Sequence, residues 1–459
     1  MQLRKKASIR SKLAIATSSL LIGITSADAE ETTSPNQEER NTGSSIAESV
    51  FNDKFSVSNL IYDEEDRVNV IKIQTQATNE FDNGDRVKAN FIYDTMSGAS
   101  PNGRVVSSSS STNLVTFTTA SGSTFQTESA TESSNKTWLT GFEDSRKALN
   151  LEWEHNLFSQ TKAILGGAAS YENDYTSYGA SVKLQFDFNQ RQTSISLGSS
   201  IDRDEVKPIG GIPDGTKKLW YDETTQQFLP GWLDINNDIS HFKPAEKIVI
   251  NYYAGITQIL NRRSLFQFNF SQGDEDGYLT DPYKQISIVI FDSNSGDQTE
   301  SATITEQRPD TRTTNSAYIK YVVVPNKLWA FHLSYRYFWD SWDIQSHTGD
   351  AKLRFNLGSK FYIQAHARES RQSAANFFKT QITVPQQDNS DDKTGPTYIS
   401  SDHRLGEQNT STVGLKFGIH NQTGNSVSIR VEQMRQKYIN NALPNLKVWI
   451  AQLILSTRF

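Results

Sequence analysis

The strongest constraint in this chain is a period of two. Val182, Leu184, Phe186 and Phe188 alternate with Lys183, Gln185 and Asp187, and Phe266, Phe268 and Phe270 alternate with Gln267 and Asn269. Leu353, Phe355 and Leu357 alternate with Lys352, Arg354 and Asn356. Phe331, Leu333, Tyr335, Tyr337 and Trp339 alternate with His332, Ser334, Arg336 and Asp340, broken only at Phe338. Successive side chains of a strand point to opposite faces, so each run makes a ribbon that is apolar on one side and polar on the other. Such ribbons can close as a sandwich, with the apolar face inside, or as a membrane barrel, with that face outside.

The connections separate the two. Tight-turn sequences at Asp82–Asp85, Ser159–Gln160, Asn189–Gln190, Asn261–Arg262, Pro325–Lys327, Gly358–Ser359 and Asn421–Gly424 alternate with long polar stretches near 97–145, 205–244, 272–312 and 373–406. Short turns at one end and long loops at the other are the pattern of outer-membrane barrels. Strands are expected at 54–62, 67–80, 86–96, 146–158, 161–172, 177–188, 191–204, 245–259, 263–271, 313–324, 328–340, 343–357, 360–372, 407–420, 425–438 and 446–459. The predicted fold is therefore all-β: a transmembrane antiparallel β-barrel of about 16 strands, with short periplasmic turns and long extracellular loops. An even count puts both termini on the periplasmic side. The last strand alternates and ends in Phe459, with Leu455, Leu453 and Trp449 on the same face. A terminal aromatic of this kind resembles the signal read by the barrel assembly machinery, which is an expected partner along with outer-membrane lipid.

The N-terminus fits export. Arg4, Lys5, Lys6, Arg10 and Lys12 precede an apolar run from Leu13 to Ile24, and Ala27-Asp28-Ala29 has the small-x-small cleavage pattern. The expected organisation is a signal peptide at 1–29, a polar periplasmic lead at 30–53 and the barrel at 54–459, in the outer membrane of a Gram-negative bacterium. Losing residues 1–29, which hold five basic side chains and Asp28, takes the formal charge from −6 to −10. That disfavours nucleic acid as a partner. The chain has no cysteine, which excludes disulfides, thiolate metal sites and thiol catalysis. No segment reaches the ~18 apolar residues of a membrane helix.

Three stretches carry a family resemblance: Tyr93-Asp94-Thr95-Met96-Ser97-Gly98-Ala99-Ser100-Pro101-Asn102-Gly103, Asp187-Phe188-Asn189-Gln190-Arg191, and Pro208-Ile209-Gly210-Gly211-Ile212-Pro213. Together they resemble a proteobacterial family of exported proteins, catalogued only as a domain of unknown function and predicted to be outer-membrane barrels. The resemblance implies fold and location. It also implies a genomic neighbourhood of small lipoproteins, thioredoxin-like proteins and flavin transferases, hence a small lipoprotein or flavinylated partner in extracytoplasmic redox traffic.

In a barrel the chemistry lies in the lumen and the outer loops. The alternation points Lys320, Arg336, Lys352, Arg354 and Arg368 inward, with His332 and His366, as a basic wall. It points Glu152, Glu154 and Asp187 inward on the roughly opposite wall, with Lys183 as a basic exception. Such a pair of walls would set a field across the lumen and filter solutes by charge; alternatively, these are ordinary lumen polars paired across strands. Tyr93, Asp94, Gly98, Pro101, Asn102 and Gly103 are expected to leave a strand for a long outer loop. They could fold inward to narrow the pore or form a rim turn. Asp63-Glu64-Glu65-Asp66 and Asp274-Glu275-Asp276 could attract calcium but lack a full calcium-loop pattern and are expected to be solvated. Most of Tyr252, Tyr253, Trp329, Tyr335, Tyr337, Trp339, Trp342 and Trp449 are expected as interfacial girdle aromatics, with sugar stacking by loop aromatics as the alternative. No cofactor motif, paired metal spacing, nucleophile elbow or phosphate loop is present. The expected function is a porin-like channel or conduit. Alternatives are a structural sheath or anchor for a redox or lipoprotein partner, and an outer-membrane enzyme.

Overall fold

The structure, a computed structural model, describes residues 54–458 except 66, 105–114, 119–123, 128–138, 210, 213–218, 223–226, 231–243, 292–297, 386–396, 422–423 and 442. The expected signal peptide, the periplasmic lead and Phe459 lie outside the described residues. Sixteen strands form one closed barrel. They are β1 (Lys54–Glu64), β2 (Val68–Glu80), β3 (Arg86–Pro101), β4 (Leu139–Phe158), β5 (Thr161–Tyr171), β6 (Tyr175–Phe188), β7 (Thr193–Val206) and β8 (Ala245–Asn261). The series continues with β9 (Ser264–Gly277), β10 (Thr311–Val323), β11 (Trp329–Asp340), β12 (Gln345–Leu357), β13 (Phe361–Gln372), β14 (Gln408–His420), β15 (Ser426–Tyr438) and β16 (Leu446–Arg458). Each strand pairs antiparallel with the next, and β1 pairs β16 from Lys54↔Arg458 to Glu64↔Val448. Closure leaves no sheet edge, so every ladder hydrogen bond is made within the wall.

The faces are inverted relative to a soluble protein. Ile71, Leu151, Leu197, Ile201, Leu333, Val413, Phe417 and Ile429 are exposed on the outside, whereas Ser58, Gln74, Asn269, Thr412, Ser428 and Gln452 are buried on the inside. Exposed aromatics ring both ends of this band, with Phe81, Phe158, Phe188 and Phe361 near the short turns and Tyr171, Tyr178 and Trp449 near the other end.

β3, β4 and β9 run several residues further toward the long loops than expected, to Pro101, from Leu139 and to Gly277. Past the apolar band both faces of a strand meet polar surroundings, so the alternation that marks it fades while the ladder continues. One consequence corrects the sequence expectation. Tyr93 to Pro101 is strand, and only Asn102 and Gly103 leave it. Gly98 holds φ +138°, and a Cβ there would lie 2.0 Å from the Arg67 carbonyl oxygen, so the β2–β3 rim requires glycine.

Candidate functional site

The lumen wall from β10 to β15 is basic. Lys320 lies between the outward Ile319 and Tyr321, and His332 and Arg336 alternate with the outward Phe331, Leu333 and Tyr335. Lys352 and Arg354 flank the outward Leu353, and His366 and Arg368 flank the exposed Ala367. The same alternation adds Lys416 on β14 and Arg430 on β15, with the carboxylates Asp350 and Glu432. The sequence analysis did not single out these four, although Leu415-Lys416-Phe417 and Ile429-Arg430-Val431 carry the same period-two signal.

Cross-strand register arranges these groups in rows. One row runs His332↔Lys352↔His366 and another runs Arg354↔Gln364↔Lys416↔Arg430. Like charges directly opposite on neighbouring strands destabilise a sheet, so the Lys416–Arg430 pairing is electrostatically costly. Part of the field is compensated. His366 bridges Asp350 (Nε2···Oδ2 2.6 Å) and Glu432 (Nδ1···Oε1 2.6 Å), and Arg430 lies 3.4 Å from Glu432. Gly414 makes that bridge possible: a Cβ on the intervening strand would lie 2.3 Å from Glu432 Cγ. The Arg354 guanidinium stacks on Tyr362, 3.9 Å from the ring centre.

The facing wall carries both signs. Glu154 pairs with Lys162 at 2.5 Å and Arg86 at 3.4 Å, and Glu152 with Lys88 at 3.5 Å. Asp187 accepts from Ser194 Oγ at 2.6 Å and Gln185 Nε2 at 3.0 Å. Lys183 points to the same side, 5.6 Å from the Tyr253 ring centre. The expected acidic wall is thus a set of carboxylates with local cations, and only the opposite wall has an excess of one sign.

The outer mouth is bridged by a folded cap. In the β9–β10 loop, Gln285–Phe291 pairs with Gln298–Thr305, and Ile382–Pro385 from the β13–β14 loop adds in parallel. Ile286, Ile288, Ile304 and Ile399 form one apolar core of the cap, packed by Ile382. Leu279, Trp342, Ile344, Ala375, Phe377 and Leu405 form a second. Beside them Lys284, Arg308 and Arg404 face Asp281, Glu306 and Asp402. Arg308 Nη2 lies 2.6 Å from Glu306 and 2.8 Å from Asp402, and Arg404 Nη2 lies 2.5 Å from Asp281. Burial would raise the Asp402 carboxyl, but Arg404, Lys284 and Arg308 overcome it and hold it well below the carboxylate range. Burial pushes Glu306 up despite Arg308. Burial, helped by Lys284, holds the His403 imidazole well below its usual range, so it stays neutral.

This cap is tied to strands around the ring. Lys284 Nζ donates to the Pro101 carbonyl, Gln285 N donates to the Asn102 carbonyl at 2.8 Å, and Ser401 Oγ donates to the Gly103 carbonyl at 2.9 Å. The motif's end is therefore a seam on which the cap docks, and Asp94, inside the barrel, pairs with Arg146 at 2.6 Å. Ile209 of the Pro208-to-Pro213 stretch donates from its backbone N to Tyr283 Oη at 2.9 Å, and that hydroxyl donates to Asp174 at 3.1 Å. His403 packs edge-on against Tyr438 of β15, with ring centres 5.6 Å apart.

Two aromatics sit differently from the girdle expectation, and the two acidic clusters pair with neighbouring side chains. Trp342 is buried in the cap core under Arg312, and Tyr253 points into the barrel, donating to Asn269. In the first acidic cluster Glu64 lies 3.6 Å from Arg67 and Glu65 lies 3.4 Å from Lys447, while Asp66 is outside the described residues. Asp274 of the second accepts from Thr313 and Gln272. The cap cluster had no signal in the sequence, because its charged residues follow no period.

Comparison with known proteins gives likenesses and a family. The barrel is similar to a bacterial polysaccharide outer membrane secretin, at 10% identity and TM-score 0.44, over 90% of this chain and 100% of the other. It is similar to the outer membrane protein opdK from Pseudomonas aeruginosa, at 8% identity and TM-score 0.38, over 89% and 98%. It is also similar to CdiB from Acinetobacter baumannii, at 7% identity and TM-score 0.45, over 89% of this chain and 61% of that longer one. No curated protein matches the chain. A family model described as a protein of unknown function (DUF3570) matches residues 11–453, nearly the whole chain, and the protein belongs to that family.

Proposed function

We propose that this barrel resides in the outer membrane of a Gram-negative bacterium and is a porin-like conduit for anionic solutes, held closed at its outer mouth by the cap. Residence in a membrane is supported by the outward apolar band with aromatics at both ends, which water would expel and hydrocarbon accepts. The observation that carries the conduit reading is the basic wall, above all Lys416 directly opposite Arg430. A purely structural barrel has no reason to keep like charges adjacent, whereas a ring of cations lowers the barrier to an anion. The cap supplies closure, since its charged groups pair with one another and its seams are hydrogen bonds that can be exchanged for water.

A second reading is favoured by that same cap. A barrel with a folded cap across the mouth at its long loops also suits a sheath around a periplasmic partner, of the small-lipoprotein or flavinylated kind the family resemblance implies. Single-channel recording of the purified full mature protein in planar bilayers tests the two. A conduit gives openings with anion preference, and Arg336→Ala and Arg354→Ala each shift reversal potential toward cations. A folded, heat-modifiable barrel that stays silent even with its cap released overturns the conduit and leaves the sheath.

A further inference from the structure

Asp144, near the outer end of β4, and Glu172 and Asp174, in the β5–β6 turn, place their carboxylates together inside the barrel. One oxygen from each lies within 4.8 Å of the other two, and all three residues are buried. Nearby Arg146 is already engaged, with Nε and Nη2 on Asp94 Oδ2 at 3.0 and 2.6 Å. Asp144 accepts from Ser145 N at 2.8 Å and Asn173 Nδ2 at 2.9 Å, and Asp174 accepts from Tyr283. Glu172 is the exception. It is 2% exposed, and neither of its carboxylate oxygens has a hydrogen-bond partner. A buried carboxylate without donors is expensive, and beside two further carboxylates it is more so.

We propose that Asp144, Glu172 and Asp174 bind a divalent cation, calcium by ligand type. Hard cations take carboxylate oxygens, and ligands at about 2.3–2.6 Å from calcium span roughly 5 Å across its coordination sphere, which this cluster fits. Magnesium, with ligands at about 2.0–2.1 Å, spans only about 4 Å and demands a stricter octahedron. The ion ties the β5–β6 turn to β4. Through Asp174 and Tyr283 it also firms the seat of the cap, so it is a structural ion of the outer rim.

The test is calcium binding to the full mature protein in detergent after chelator treatment, followed by titration calorimetry and by the shift in heat-modifiability. Calcium chloride should bind at one site per chain and raise the unfolding temperature. Glu172→Gln, nearly isosteric, should weaken binding at least tenfold, and its chelated form should unfold at a higher temperature than the chelated native protein. Asp274→Asn, in the other acidic cluster, should bind calcium as the native chain does. No uptake by the native protein at millimolar calcium overturns the proposal, as does a Glu172→Gln protein that binds as tightly as the native one. If Glu172→Gln fails to fold, Asp174→Asn serves in its place with the same expectations for binding.

Discussion

Asp402→Asn is the sharpest probe of the cap. Asp402 is fully buried and accepts from Arg308 at 2.8 Å and from Arg404 Nε at 2.8 Å, with Lys284 Nζ 3.8 Å away. Arg308 depends on it, because Nε and Nη1 of that guanidinium have no partner and Nη2 reaches only Glu306 and Asp402. The three cations Lys284, Arg308 and Arg404 are balanced by Asp281, Glu306 and Asp402. Asparagine keeps the shape and removes one charge, leaving a net positive, dry cluster. Removing one partner of a buried ionic network costs about 3–5 kcal/mol. At ~1.4 kcal/mol per tenfold, the closed-to-open ratio of the cap should fall by roughly 100-fold to a few thousand-fold. The barrel ladder does not involve Asp402, so heat-modifiability should persist. In planar bilayers the variant should open far more often than the native protein, and trypsin should cleave near Lys284 and Arg404. A folded variant that is as silent and as protease-resistant as the native protein refutes the role given to Asp402. A variant that is cleaved yet silent refutes the cap as the only barrier.

Three further outcomes follow from the same geometry. His403, buried and held neutral, should weaken the cap as pH falls below its unfolded pKa near 6.5, because the released chain takes up a proton that the folded cap refuses. Between pH 7.5 and 5 this amounts to about 2 kcal/mol, so amide exchange at Leu405 should change by about 30-fold more in the native protein than in His403→Gln, a comparison in which the opposing titration of Glu306 cancels. An equal pH response in both proteins would contradict it. Gly414→Val should push Glu432 off His366 and press on the Val431 carbonyl, 2.8 Å from the new Cβ, costing roughly 1–3 kcal/mol in a urea unfolding midpoint. Lys416→Glu, by putting an anion in the basic row opposite Arg430, should reduce anion preference in reversal-potential measurements; an unchanged preference would refute the part given to Lys416.

Apart from the ends of β3, β4 and β9 at the long loops, the barrel wall is legible in the sequence because one physical rule governs it. Leu333 must face out and Ser334 in, or every residue of β11 changes sides. The same rule carries Arg336 and Arg354 into the lumen, and applied to β14 and β15 it also carries Lys416 and Arg430. It fails at the rims, where Glu143 and Asp144 of β4 are both polar and alternation carries no information. It says nothing of the cap. Lys284 meets Pro101 across 183 residues of sequence and Arg308 meets Asp402 across 94, and such pairings arise only when loops from separated strands are brought to one mouth. Pairing is also what decides between the two readings of the acidic wall, and it is not visible in the sequence. Glu152 and Glu154 look like an uncompensated patch until register brings Lys88, Arg86 and Lys162 beside them.

The division of labour between wall and lumen explains why electrostatic conflict can persist in this fold. A barrel draws its stability from a closed ladder, β1 to β16 included, and from the apolar band on its outside. Neither depends on which polar side chains point inward. A like-charge row such as Lys416 and Arg430 costs a fraction of a kcal/mol to about 1 kcal/mol per pair, small against that scaffold. Selection on the lumen can therefore follow its contents, whereas the cap, which has no ladder closing on itself, must balance its charges internally to stay shut. The cap and the wall are two answers to burial: the cap sets each charge against an opposite one in a dry cluster, whereas the wall carries more cations than carboxylates along the face that borders the lumen.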